Sequence, residues 1–404
     1  MIQTRQIKIG TLGIGGGNPP RVMGVINLSA ESFYSQSVEN DESKLEKRVL
    51  RMIEEGVEII DLGGASTAPK EVYGTKEIGI DEEYSRVKRG IQTVREFSDV
   101  LLSIDTTSSE IAEMALKQGV QLVNDVSGLQ NDPHMAKVVA EYDVPVILMA
   151  MPTHPNFEVK DAINRLQASI DIAIQAEIDE NKIILDPGIG FGKPAEYDIE
   201  LIKELNRFKI LGYPILVGVS RKAFIGTLLG QPNPKDRLVG TISATAIAVA
   251  NGADMIRAHD VYEAVQASII GGYLRRQTVT HEKIELVPIQ HELEGKQILR
   301  QIGTGREITG ALSKKMVSLC LRIKQVPTPG ALILKQEMLA LGGDAAYHHD
   351  TIDFEIEYTD VILMGTILQI ERLMKKVRKM TYFGLKEIGI SIEKILQTRE
   401  RSLR

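Results

Sequence analysis

Between residues 21 and 274 the chain alternates a short apolar run with a longer amphipathic one, eight times over. The short runs are R-V-M-G-V-I-N (21–27), V-E-I-I-D (57–61), V-L-L-S-I-D (100–105), V-Q-L-V-N (120–124), 144–149, K-I-I-L-D (182–186), 213–219 and D-M-I-R-A-H (254–259). Runs of this length and apolar content read as buried strands. The stretches 41–55, 81–97, 108–118, 133–142, 159–181, 199–205, 238–251 and 261–274 carry helical periodicity. Strands that alternate with helices pair in parallel, because each helix supplies the crossover that parallel neighbours need. Eight such units in roughly 250 residues are what a (β/α)8 TIM barrel requires. A doubly wound open sheet is the runner-up, but no dinucleotide fingerprint follows the first strand. Ahead of the repeat, Ile7, Ile9, Leu12 and Ile14 alternate about Gly10, which predicts an N-terminal β-hairpin.

The rhythm stops after Gln277. Residues 1–277 are expected to form the barrel domain, 278–288 a linker with one strand, and 289–404 a small C-terminal α+β domain. Helices are expected there at 330–341, 365–380 and 384–397, with a strand at 360–364. The 404 residues are 43% hydrophobic and 25% charged, enough for a substantial core. A net charge of −6 gives no support for a nucleic-acid surface. The single cysteine, Cys320, rules out an intrachain disulfide and fits a reducing cytoplasm. No apolar run reaches membrane-spanning length, and Met1–Gln6 lacks the apolar core of a signal peptide. A cytoplasmic protein that engages neither membrane nor nucleic acid is expected. His348-His349-Asp350 lacks a third spaced ligand and reads as an exposed turn. The basic run at 375–379 reads as a solvated helix face.

In such barrels chemistry sits at the C-terminal ends of the strands. Here those ends carry Asn27, Asp61, Asp105, Asn124, Met149, Asp186, Ser220-Arg221-Lys222, and Arg257 with His259. Asp186 opens the stretch D-P-G-I-G-F-G-K (186–193), where three glycines let a flat or anionic ligand come close. Two carboxylates, Asp105 and Asp186, with the Asn124 amide suit a flat heterocycle with a donor-rich edge, and Lys222 adds a donor. Arg257, His259 and Asn27 suit phosphate or pyrophosphate, and Mg²⁺ bridging Asn27 to that anion is expected. Asp61 is expected to order its own loop. Ser220-Arg221 has a second reading, as a loop anchor with Arg221 paired to an acidic neighbour. Asp254 starts its strand, on the stability face. The combination argues for displacement of pyrophosphate from a heterocycle-bearing substrate.

These residues resemble a family. M-G-V-I-N (23–27), S-I-D (103–105), N-D-V-S-G-L (124–129), D-P-G-I-G-F-G-K (186–193), V-G-V-S-R-K-A-F-I-G (217–226) and R-A-H-D-V (257–261) occur in the order seen in dihydropteroate synthase, the pterin-binding barrel enzyme of folate synthesis. The resemblance implies that Asp105, Asn124, Asp186 and Lys222 hold the pterin, with Met149, Phe191 and Gly218 near it. It implies that Asn27, Arg257 and His259 hold the pyrophosphate, with Mg²⁺ at Asn27. Lys222, Arg257 and His259 would be the catalytic groups. Ser66, Thr67, Ser220 and Arg221 would border the arylamine. The family's order of events is loss of pyrophosphate, then attack of an arylamine on a cationic pterin. A homodimer is implied as well, although the Ala-rich 243–250 reads better as core than as interface.

The departures fall on one side. The family's first loop runs T-P-D-S-F where this chain has S-A-E-S-F (29–33). The second runs G-G-E-S-T-R-P where this chain has Ala65 and Ala68, and M-H-M-R becomes M-A-M-P (149–152). The pterin and pyrophosphate motifs are kept and the arylamine loops are altered. The chain therefore resembles a divergent, archaeal-type member with a C-terminal extension. Its second substrate would be 4-aminobenzoate or a larger ribosylated arylamine, as in methanopterin synthesis. Two other classes remain. One is a methyltransferase acting on a methylated reduced pterin with a corrinoid partner. The other is a non-catalytic pterin-binding protein.

Overall fold

The structure is a computed structural model that describes residues 4–28, 42–65, 79–275, 280–281, 284–285, 287, 289 and 291–403. The chain divides into two compact units, Ile2–Gln277 and Thr278–Arg404.

In the first unit, eight parallel strands follow one another around a nearly closed barrel. They are β3 (Arg21–Asn27), β4 (Ile59–Gly63), β5 (Leu101–Asp105), β6 (Leu122–Asp125), β7 (Val146–Met149), β8 (Ile183–Asp186), β9 (Leu216–Val217) and β10 (Met255–Ala258). A parallel bridge between Leu185 and Ile215 joins β8 to the residue before β9, across the last gap. Between the strands run α1 (Glu42–Glu54), α2 (Ile80–Phe97), α3 (Ser109–Lys117), α4 (Met135–Glu141), α5 (Val159–Gln175), α6 (Ala195–Lys203), α7 (Ala223–Leu229) and α8 (Leu238–Ala250), and α9 (Val261–Leu274) closes the ring. The expected helix at 199–205 is displaced: α6 ends at Lys203, and Leu205–Leu211 winds as a 3-10 segment that stops at Gly212. The strand expected at 57–61 lies two residues later, because Val57 N still bonds back to Met52 O of α1.

Strand alternation sorts the side chains into two cores. Val22, Ile60, Leu62, Leu102, Ile104, Val123, Leu148 and Leu185 face outward and pack on the helices through residues such as Val49, Met52, Val87 and Ile91. Met23, Ile59, Leu122, Ile147, Ile184, Leu216 and Met255 face inward and form a separate cluster. The N-terminal hairpin, β1 (Gln6–Ile9) with β2 (Leu12–Gly15), adds Ile7, Ile9 and Ile14 to that inner cluster. Arg21 at the start of β3 donates to Gly13 O, 2.9 Å away, so the hairpin sits at the N-terminal end of the barrel and closes it. The inward positions beyond this plug include Asp61, Asp105, Asn124, Asp186 and Arg257. An apolar floor and a polar mouth therefore follow from one period-two pattern.

The second unit is α+β. β11 (Thr280–His281) pairs with β12 (Ile284–Glu285), so two short strands stand where one was expected. Helices α10 (Glu292–Gln301) and α11 (Arg306–Met316) follow. The three antiparallel strands β13 (Ser318–Pro327), β14 (Asp344–Ala346) and β15 (Tyr358–Thr366) are ordered β13-β15-β14. Helices α12 (Thr328–Ala340), α13 (Ile367–Val377) and α14 (Leu385–Leu403) complete the unit. Val326, Leu334, Met338, Val361, Leu363, Ile370 and Leu373 make its core. His348, His349 and Asp350 lie on a surface 3-10 turn with their donor atoms within 4.8 Å of one another. In the basic run, Arg378 pairs with Glu393 at 2.8 Å and Lys376 pairs with Glu337. No described helix is long and apolar enough to cross a membrane.

Candidate active site

Arg257 lies across the mouth of the barrel. It leaves β10 inward and passes β3 to reach the next two strands. Its Nε donates to Asp61 Oδ2 on β4 at 2.7 Å, and its Nη2 donates to Asp105 Oδ2 on β5 at 2.6 Å. The Asn124 amide on β6 donates to the same Asp61 oxygen at 2.9 Å. Asp61 is completely buried and Asp105 and Asn124 nearly so. Burial works against the guanidinium charge, but the two carboxylates outweigh it and hold its pKa above the ordinary value. Among the described residues Asp61 bonds nothing in its own loop, which its place at a strand end suggested it would order. It anchors two residues from other strands.

The opposite arc is built by the stretch after β8. Asp186 Oδ1 accepts from Gly188 N at 2.8 Å, which folds the chain back over the strand end. Gly188 and Gly190 both have left-handed φ, +76° and +78°. A Cβ on Gly190 would stand 2.1 Å from Lys222 Cδ, so only glycine lets the lysine pass beneath the loop. The ammonium of Lys222 bonds Ile189 O and lies 4.2 Å over the Phe191 ring. Lys193 is a member of the same motif that chain position alone left without a role. Its side chain is fully buried, bonds Gly188 O and lies 3.3 Å from Asp198, whose carboxylate also accepts from Gly190 N at 2.8 Å. That internal ion pair holds the glycine loop shut on itself.

Asp186 and Lys222 pull each other toward charge while burial pulls both toward neutrality. Burial is the larger effect for each. It raises the carboxyl of Asp186 above its ordinary range and brings Lys222 down to about 8.

His259 is buried on the third arc. Its Nδ1 lies 2.9 Å from Ser220 Oγ, which also accepts from the His259 backbone N at 3.2 Å. Burial, with Arg257, Arg221, Arg48 and Lys222 around it, pushes its pKa down to about 3. The imidazole is therefore neutral at physiological pH. Arg48 of α1 donates to His259 O at 2.5 Å. Nothing in the sequence separates Arg48 from a surface arginine on an amphipathic helix. It is recognised only once β10 is seen to end beneath α1.

Arg221 is fully engaged elsewhere. It grips Asp260 through Nε and Nη2, both at 2.8 Å, and donates to Pro234 O and Lys235 O at 3.0 and 2.8 Å. Its φ of +55° is a left-handed value for a non-glycine residue, and the Arg237 guanidinium bonds its carbonyl at 3.0 Å. The second reading of Ser220-Arg221, an anchor paired to an acidic neighbour, describes this geometry. Met149 is buried beside Gly188, and Gly218 lies against Arg257. Asn27 ends β3 opposite Gly63, and its Oδ1 lies 3.5 Å from where a Cβ on Gly63 would stand. Ser66, Thr67, Ala68 and the loop at 29–33 lie outside the described residues.

Lys222 carries its charge below about pH 8 and loses it above. Affinity for an anionic ligand in this mouth should fall as the pH rises through 8, and Lys222→Gln should abolish that limb. A binding profile that stays flat from pH 7 to 9.5 in the unaltered chain would contradict the assignment.

Residues 23–259 match the family described as pterin binding enzyme. The dihydropteroate synthase of Clostridium beijerinckii is 40% identical over 265 residues, which are 65% of this chain and 97% of that protein. That of Bacillus subtilis is 37% identical over 263 residues, 64% of this chain and 90% of the relative. Among solved structures, a dihydropteroate synthase from Clostridium difficile, determined with pteroic acid, superposes with a TM-score of 0.60 at 39% identity. It covers 65% of this chain and 98% of its own. One from Xanthomonas albilineans, determined with 4-aminobenzoic acid, gives 0.60 at 33% identity and covers 66% of this chain and 97% of its own. The matched span takes in the barrel from β3 to His259 and with it the whole polar mouth, so the chain belongs to the pterin-binding enzyme family.

Proposed function

We propose that the barrel is a transferase of the dihydropteroate synthase type. It joins 6-hydroxymethyl-7,8-dihydropterin pyrophosphate to an arylamine and releases pyrophosphate. The observation that carries this reading is the position of Arg257. One edge of its guanidinium is tied to the carboxylates beside the heterocycle arc, while the side chain stands next to His259 and Arg48 on the cation-rich arc. A methylated reduced pterin would leave that second arc without a partner, which favours the pyrophosphate ester over the methyltransferase reading.

In this reading Asp105, Asn124 and Asp186 accept and donate along the pterin edge, with Met149, Phe191, Gly218 and Lys222 around the ring. Arg257, His259 and Asn27 receive the pyrophosphate. The C–O bond from the pterin methylene breaks, and its electrons leave on the pyrophosphate oxygen. The arylamine nitrogen then forms the C–N bond and gives up a proton. Arg257 and His259 act on the charge that develops on the leaving group, while Lys222 donates to the pterin ring. Positioned donors of this kind contribute about 10²-fold or more each. His259 acts as a neutral donor. With the Ser220 hydroxyl donating to Nδ1, the neutral imidazole carries its own proton on Nε2. Asn27 offers a single amide oxygen beside the carboxylates that Arg257 occupies. That donor set fits Mg²⁺, which takes few protein ligands and completes its shell from water and phosphate oxygens. Bound there, the ion would offset charge on the departing pyrophosphate. The arylamine, bordered by Ser66, Thr67 and Ser220, is 4-aminobenzoate or a ribosylated derivative.

The same reading places the enzyme in the cytoplasm as a homodimer. The face of α8 and α9 supports the dimer: Val239, Ile247, Ile269, Ile270, Tyr273 and Leu274 are all at least half exposed. Within the Ala-rich 243–250, Ala248 and Val249 are core, but Ile247 belongs to this open face. Sedimentation at micromolar concentration should give twice the chain mass, and Tyr273→Glu should shift it toward the monomer. A monomer throughout would remove the dimer from the account.

Pyrophosphate release from the pterin ester, with 4-aminobenzoate or the ribosylated amine, tests the activity. Release that depends on one of these amines is expected. No release with any arylamine would sink the reading. Lys222→Ala should weaken binding of the pterin, while His259→Ala should spare it and slow pyrophosphate loss by about 10²-fold. Equal effects of the two substitutions on both steps would contradict a two-sided site.

A further inference from the structure

The geometry points to Asp61 as the positioning residue that couples the two halves of the site. One of its carboxylate oxygens fixes the Arg257 guanidinium on the anion side and the Asn124 amide on the heterocycle side. This inference rests on the proposed pterin pyrophosphate reading.

Asp61 lies on β4, and its inward direction is set by strand alternation: Ile60 and Leu62 are in the outer core. It is wholly buried. Its Oδ2 receives Arg257 Nε at 2.7 Å and Asn124 Nδ2 at 2.9 Å. The first donor lies 196 residues further along the chain and the second 63. No other side chain among the described residues is bonded to both. Its second oxygen, Oδ1, is also buried and accepts no hydrogen bond. A buried carboxylate stripped of water depends on the donors that remain, so both must be held close. Arg257 thus keeps one edge turned to Asp61 and Asp105, which leaves its other N–H groups for an anion. Asn124 keeps one amide proton on Asp61, which fixes which way its oxygen and second proton face a heterocycle.

The consequence is thermodynamic. A ligand that orders Arg257 pulls Asp61 into a single position, and Asp61 in turn orders Asn124. The reverse holds for a ligand on Asn124. Coupling of binding free energies is reciprocal, so pterin should tighten pyrophosphate and pyrophosphate should tighten pterin by the same factor. The two halves arrive on one substrate molecule. A site that rewards simultaneous occupation therefore discriminates against free pyrophosphate and against the bare pterin alcohol, each of which fills only half.

The test uses the full chain and two probes, 6-hydroxymethylpterin without pyrophosphate and inorganic pyrophosphate. Each is titrated alone and in the presence of the other by calorimetry. The unaltered chain should bind each at least about five-fold tighter when the other is present, within the usual range of coupling between sites. In Asp61→Asn the factor should fall to near one. A residue that only supports the fold would lower the melting temperature and leave the coupling factor as it was. If Asp61→Asn does not fold, Asn124→Ser tests the same link: it should keep affinity for pyrophosphate alone and lose the coupling. Coupling retained in the variant that is measured, or no coupling in the unaltered chain, overturns the inference while the function stands. Failure of the unaltered chain to bind either probe overturns both.

Discussion

The site depends on one partly buried guanidinium held between two carboxylates. Arg257 is where the strand pattern, the charge balance and the chemistry meet. Without it, Asp61 and Asp105 would be two acidic groups buried together on adjacent strands, an arrangement that costs several kcal/mol unless one takes up a proton. Without them, Arg257 would be an unpaired cation under a set of other cations. Each half makes the other tolerable, and the cost of desolvating the trio is carried by the barrel around it. The closed apolar floor, plugged by the N-terminal hairpin, is what supplies a rigid frame for that arrangement.

Most of this frame was legible in the sequence, because the frame is made of repetition. Eight apolar runs separated by helical stretches leave few alternatives to a barrel, and polar residues at the ends of those runs mark the mouth without further information. The role of Asp61 was not legible. A carboxylate at a strand end looks the same whether it caps the next turn or reaches a guanidinium almost two hundred residues away, and only strand register decides. Arg48 was hidden for a related reason: an arginine on an amphipathic helix is ordinary until its neighbour across the barrel is known. Lys193 stood in plain view inside the glycine motif, but its burial against Asp198 depends on how the loop folds back.

The second unit is the least legible in the sequence, again for physical reasons. β13 alternates in burial, but its outer face carries Arg322 and Lys324 and no glycine or proline interrupts it on the side where it begins, so no turn marks its start. Helices α10 and α11 are short and contain or adjoin Gly295, Gly303, Gly305 and Gly310, which read as turns. Helix propensity is a weak prior, and here packing onto neighbours overrides it. The unit has its own core and lies outside the span matched by the family.

The central claim is a two-sided mouth, with a heterocycle on the Asp105–Asn124–Asp186 arc and a pyrophosphate on the Arg257–His259 arc. A crystal structure of the chain with 6-hydroxymethylpterin pyrophosphate tests it most directly. The account predicts the ring edge within hydrogen-bond distance of Asp105, Asn124 and Asp186, and phosphate oxygens within the same distance of Arg257 and His259. A ring bound against the Arg257–His259 arc, or a pyrophosphate that leaves both residues untouched, would contradict it.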